Sequence, residues 1–164
     1  MKTKCVFLTL LFACAGIVSY SQTSDAEAEA IINLLGIQKK EAVAQLVPVS
    51  GKDSVAFWKI YDEYQQSNKK TNVARIKLYE KTAMSYSNLT AARADSLASQ
   101  YFVNRIEQEK NLENYYKKVK AQTNAIVAFE FYQAETYMLT QIRAQIMMQI
   151  PTYGQLMMAA KKTR

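Results

Sequence analysis

Apolar side chains recur along this chain at intervals of three and four residues, the spacing that lines one face of a helix. The clearest run is Leu97, Tyr101, Asn104, Gln108, Leu112, Tyr115 and Val119, which keeps that interval throughout although two of its members are polar amides. Phe102, Ile106 and Tyr116 make a second, partial stripe on the same segment. Earlier, Val55, Trp58 and Tyr61, then Val73, Ile76, Tyr79 and Ala83, repeat the pattern on either side of a polar stretch from Gln65 to Asn72. Later, Ala125, Phe129, Tyr132, Leu139, Ile142, Ile146 and Ile150 repeat it again.

Breakers and caps cut this pattern into four helices. The first runs from Ser24 to Leu46, opened by a Ser24-x-x-Glu27 capping box and stopped by Pro48, with Gly36 as a weak point in its middle. The second runs from Ser50 to about Tyr86, with Ser50 as the capping hydroxyl and Asp53 in the reciprocal position. Nothing in it breaks a helix, so it extends about 50 Å at ~1.5 Å per residue, or else kinks in its polar stretch. A turn at Ser85-Tyr86-Ser87-Asn88 leads to Thr90, which caps a third helix over Ala91 to Ala121. The fourth runs from Asn124 to Ile150 and is stopped by Pro151. The fold class is therefore all-α.

Composition narrows the chemistry. The 164 residues include 4 Gly, 2 Pro, 2 Cys and no His. Absence of histidine removes most zinc, copper and haem sites and every Ser-His or Cys-His nucleophile pair. So few glycines leave no phosphate-cradling loop. Glu107, Glu109 and Glu113, or Glu130 and Glu135, are the candidates for an acid–base pair, but they sit at the spacing of solvated helix charges. Neither catalytic nor metal-binding nor cofactor-binding residues are expected, and the chain reads as something other than an enzyme.

The amino terminus reads as a secretory signal over residues 1–21. Lys2 and Lys4 precede an apolar run from Cys5 to Val18, and Ser19-Tyr20-Ser21 is a small-x-small cleavage site. The run is too short and wrongly flanked to span a membrane. A competing reading makes Cys14 a lipid anchor, since Leu11-Phe12-Ala13-Cys14 loosely matches a lipobox. Cleavage before Gln22 removes both cysteines, so the exported chain holds no disulfide and no redox thiol. Residues 22–150 then form the helical domain, and residues 151–164 a tail ending in Lys161, Lys162 and Arg164. Cleavage takes Lys2 and Lys4 from the 21 Lys+Arg and none of the 14 Asp+Glu, so the formal charge falls from +7 to +5; that excess favours anionic partners, although export argues against nucleic acid as one. Helices this long with narrow apolar faces bury little within one copy, and pairing with a second copy is the usual remedy, so a homodimer is expected.

Three segments carry a family resemblance. Val49-Ser50-Gly51-Lys52-Asp53 leads into Phe57-Trp58-Lys59-Ile60-Tyr61-Asp62-Glu63-Tyr64. Leu89-Thr90-Ala91-Ala92-Arg93 follows, and then Tyr115-Tyr116-Lys117-Lys118 with Phe129-Glu130-Phe131-Tyr132-Gln133-Ala134-Glu135. In order and spacing this set resembles the Spy/CpxP family of periplasmic proteins, whose helices follow Leu-Thr-x-x-Gln/Glu turns. The chain departs from that pattern in having Val49-Ser50 for Leu-Thr, and Asp53 and Arg93 where Gln or Glu is usual. The resemblance implies four helices with a long antiparallel hairpin, in a thin, curved, elongated homodimer. It also implies a periplasmic, ATP-independent holdase for unfolded or partly folded proteins. The alternative it implies is a regulator that binds an envelope-stress sensor or an anti-sigma factor.

A holdase requires an amphipathic surface that mixes apolar contact with charge. The candidates for client binding are Lys69, Lys70, Arg75, Lys77 and Lys81 on the second helix and Arg105, Lys117 and Lys118 on the third, with Tyr79 and Tyr116 supplying apolar area. Trp58 reads as a core anchor, and the pairs Met147-Met148 and Met157-Met158 as adaptable contact surface.

Overall fold

The computed structural model describes residues 25–149. Four helices follow in order: α1 (Asp25–Leu46), α2 (Gly51–Ser85), α3 (Ala91–Gln122) and α4 (Ala125–Gln149), with a short 3-10 turn at Tyr86–Asn88 joining α2 to α3. The described residues contain no strand, and the chain is all-α. The expected signal segment with Cys5 and Cys14, the Ser24 cap, Ile150 and the tail with Met157-Met158 lie outside the described residues.

The helix starts are set locally. Thr90 accepts from the Arg93 N–H at 3.3 Å, while the Arg93 guanidinium donates back to Asn88 at 2.8 Å. Asn124 caps α4 by accepting from the N–H groups of Ile126 and Val127 at 2.9 and 3.1 Å. Ser50 differs from expectation: its backbone is extended, as a cap requires, but its hydroxyl accepts no bond from the helix. Gly51, at φ 59, makes the sharp entry instead, a backbone conformation that costs glycine nothing. Asp53 is drawn across to the α3–α4 turn, where Asn124 Nδ2 donates to it at 3.4 Å.

The polar stretch of α2 does not interrupt it; the helix is continuous from Gly51 to Ser85. Its polar side chains tie it to its neighbours. Gln65 donates to the Gly36 carbonyl of α1 at 2.9 Å. Asn111 of α3 donates to Asn68 and to Ser67, both at 2.8 Å, and Asn104 donates to the Thr71 carbonyl at 2.9 Å. With Tyr115 reaching the Glu63 carbonyl and Tyr101 the Leu78 carbonyl, these bonds run in antiparallel order along α2 and α3. Of the two amides in the α3 stripe, Asn104 is thus buried because it hydrogen-bonds across this seam. Asn104 and Gln108 lie on the same buried face as Leu97, Leu112, Tyr115 and Val119.

α1 packs on α2 and α4, and α4 packs on α3. The main core lies where all four meet. Phe57, Tyr61 and Tyr64 of α2 surround Phe131 of α4, against Val43 and Val47, with Leu112, Tyr115 and Val119 closing the other side. Ring pairs meet edge to face, Tyr64–Phe131 at 5.3 Å and 86°, Tyr64–Tyr115 at 5.4 Å and 60°. Each such pair adds about 0.5–1.5 kcal/mol beyond burial. Trp58 packs half-buried on this core, edge-on to Phe57 at 4.9 Å.

The inward face of α4 corrects the expected one. Val127, Ala128, Phe131, Ala134 and Met138 are buried, whereas Ala125, Phe129 and Tyr132 are exposed and Leu139, Ile142 and Ile146 are half-buried. α4 is apolar on nearly every side over Ala125–Tyr132, so its spacing alone did not single out the face that packs.

Candidate functional site

A groove of about 720 Å³ runs between α3 and α4. Its floor is apolar: Ile106, Leu112 and Tyr116 from α3, Phe129 and Tyr132 from α4. Ile106 and Phe129 are 53% and 55% exposed, so large apolar side chains face water here. The partial stripe of Phe102, Ile106 and Tyr116 accounts for the α3 wall; Phe102, one turn before Ile106, extends the apolar surface and is 66% exposed. On α4 the groove takes the side chains that the inward turn of Phe131 leaves outside. Its rim carries both signs of charge, Arg105 and Lys110 against Glu109 and Glu113. Lys117 donates to Glu113 one turn away and holds that carboxyl below the usual carboxylate range.

The structure gathers only part of the expected binding set here. Arg105 and Tyr116 line the groove. Lys117 meets it through Glu113, and Lys118 turns toward α2, 3.8 Å from Glu63 and 4.2 Å above the Tyr115 ring. Lys70 and Lys81 are exposed on α2, Lys81 within 3.4 Å of Gln100, while Lys69 and Lys77 are half-buried there. Arg75 points inward and donates to Asn104. Tyr79 is buried, tilted against Tyr101 at 5.7 Å, so its ring packs the hairpin and offers no surface to a partner. Phe102, Ile106, Phe129 and Tyr132 lie outside that charged and tyrosine set because apolar residues at helical spacing read as core in the sequence.

A second feature corrects the reading of Glu135 as a solvated charge. Its side chain is fully buried, and Lys39 Nζ donates to it at 2.8 Å from α1 while Tyr61 Oη donates at 2.9 Å from α2. Lys39 also sits 5.3 Å over the Tyr64 ring. Burial, and then the Glu135 carboxylate, push the Tyr61 and Tyr64 hydroxyls well above the ordinary tyrosine range. The Tyr64 hydroxyl makes no well-directed hydrogen bond. A buried ion pair of this kind adds little net stability, because desolvation offsets attraction. It fixes which residues of α1, α2 and α4 meet. The signal was present in the sequence: Glu135 interrupts Phe131, Ala134 and Met138 at helical spacing, and Lys39 precedes Val43 and Val47 at the same interval.

Among the described residues no cluster of His, Cys, Asp or Glu is arranged to hold a metal ion, and no helix is long and apolar enough to cross a membrane. Comparison of the chain with protein-family models, with curated proteins and with solved structures finds no match.

Proposed function

We propose that this protein is an exported, ATP-independent polypeptide-binding protein that holds unfolding clients in the α3–α4 groove. The observation that carries the reading is the groove itself: Ile106, Phe129 and Tyr132 exposed beside one another under a rim of mixed charge. Exposed apolar surface that is contiguous and polar-rimmed marks interaction sites in soluble proteins. Charges of both signs suit a binder of many sequences, because no single pattern of client charge is repelled along the whole rim. The resemblance of the chain's motifs to the Spy/CpxP family supports the same reading, and a periplasmic location is part of the proposal. The homodimer belongs to this proposal, and light scattering on residues 22–164 reads its mass.

The test is aggregation of a chemically reduced client, followed by turbidity with and without the purified protein in molar excess, and without nucleotide. Suppressed turbidity is expected. Equal aggregation in both samples would remove the proposal.

A further inference from the structure

A cavity of about 70 Å³ lies away from the groove, walled by residues of all four helices. Ile76, Leu139 and Ile142 make its apolar side, and Arg75, Arg143 and Gln108 bring polar groups to it. Two of those groups are buried without a partner: Arg75 Nη2, a donor, and Gln108 Oε1, an acceptor on a side chain that is only 6% exposed. A buried polar atom left unpaired costs about 1–3 kcal/mol, and such atoms are normally matched by protein, water or ligand. Arg75 is held by its donation to Asn104, which is itself anchored on the Thr71 carbonyl, so its outer nitrogen is fixed in place.

The charge is one-sided. Neither Arg75 nor Arg143 forms an ion pair among the described residues. Burial, and then Arg105 and Arg75, lower the pKa of the Arg143 guanidinium from its ordinary value, and Glu109 offsets only part of this. The arginines remain charged, since guanidinium does not deprotonate in proteins. Lys39 also borders the cavity, but its ammonium is satisfied by Glu135.

We propose that this cavity is a binding site for a small 2-hydroxycarboxylate. The carboxylate answers Arg75 and Arg143, the hydroxyl donates to Gln108 Oε1, and a short aliphatic side chain lies on Ile76, Leu139 and Ile142. An amino acid fits less well, because its ammonium would be repelled by both arginines. At about 15 Å³ for each water-sized occupant, the volume suits a ligand of roughly five or six non-hydrogen atoms, the size of lactate.

The experiment is calorimetric titration of the purified protein with lactate, with propionate, which lacks the donor, and with lactamide, which lacks the charge. Lactate is expected to bind saturably, propionate about tenfold more weakly, and lactamide not at all. Arg143→Leu should weaken lactate about tenfold or more. Gln108→Leu should erase the preference for lactate over propionate, and it replaces an unsatisfied amide with an apolar group that the fold tolerates. Helicity and thermal melting check each variant; if Gln108→Leu fails to fold, the three ligands and Arg143→Leu decide alone. Absence of saturable binding, equal affinity for the three ligands, or unchanged affinity in Arg143→Leu would each overturn the proposal.

Discussion

The two ends of the α2–α3 pair are built on different principles. At one end, Phe57, Tyr61 and Tyr64 are enclosed by α1 and α4 and meet Phe131 in a dry aromatic cluster with one buried ion pair. At the other, near the Tyr86–Asn88 turn, Leu78, Tyr79 and Leu97 are the buried apolar residues, and polar bonds do much of the joining. There Thr82 and Tyr101 share a hydrogen bond at 2.8 Å, and Ser85 bonds back to the Lys81 carbonyl. The same two helices therefore have a rigid root, where apolar burial dominates, and a lightly buttressed tip. A surface that binds other chains is well served by a root that holds its geometry, and the groove lies beside the root.

The largest effects should come from the root. Phe131→Ala should cost about 3–5 kcal/mol in urea denaturation, as a buried ring lost from a well-packed site does. Glu135→Leu should cost a similar amount, about 3–5 kcal/mol, because it strands the Lys39 ammonium in the core. The double variant Lys39→Met with Glu135→Leu should recover most of that loss. If the double variant is no better than the single one, the cost of Glu135→Leu does not lie in an unpaired lysine.

At the seam toward the tip, Asn104→Ala should cost less, about 1–3 kcal/mol, since it leaves the Thr71 carbonyl and Arg75 short of partners without opening a large apolar void. Native-state hydrogen exchange would sharpen the contrast: amides around Leu78 and Leu97 should exchange through smaller openings than those around Tyr61 and Phe131. Uniform protection along both helices would contradict the division into root and tip.

The smallest stability effect at neutral pH is expected at Tyr64→Phe, within about 0.5 kcal/mol, because the hydroxyl it removes makes no well-directed bond. Its signature is in alkali. Burial raises the folded-state pKa of Tyr61 and Tyr64, so above pH ~10 the unfolded chain releases protons that the native chain retains. The native state then binds more protons, and stability falls as pH rises through that region, while below it this contribution is constant. Denaturation midpoints across pH should show that alkaline fall, and it should be shallower in Tyr64→Phe.

How much of this was legible in the chain depended on contrast. The α3 stripe could be read down to its amides, because Glu, Lys and Arg flank it along the helix and the second apolar stripe, Phe102, Ile106 and Tyr116, is only partial. On α4 the contrast fails: Phe129, Phe131 and Tyr132 stand almost side by side, and only packing decides that Phe131 turns in while the other two turn out. The same ambiguity hid both the groove and the burial of Glu135. Arg75, chosen by its position on α2, faces inward because Asn104 of α3 meets it at the seam between the two helices, whereas Lys70 and Lys81 stay exposed.

The claim that the α3–α4 groove holds clients meets its most direct test in one variant, Ile106→Ser with Phe129→Ser, assayed for suppression of client aggregation beside the unaltered protein. Both side chains are exposed, so the melting of the variant should match the unaltered protein within about 0.5 kcal/mol. Protection of the client should be lost with stability intact; full protection by the variant would contradict the assignment of the groove.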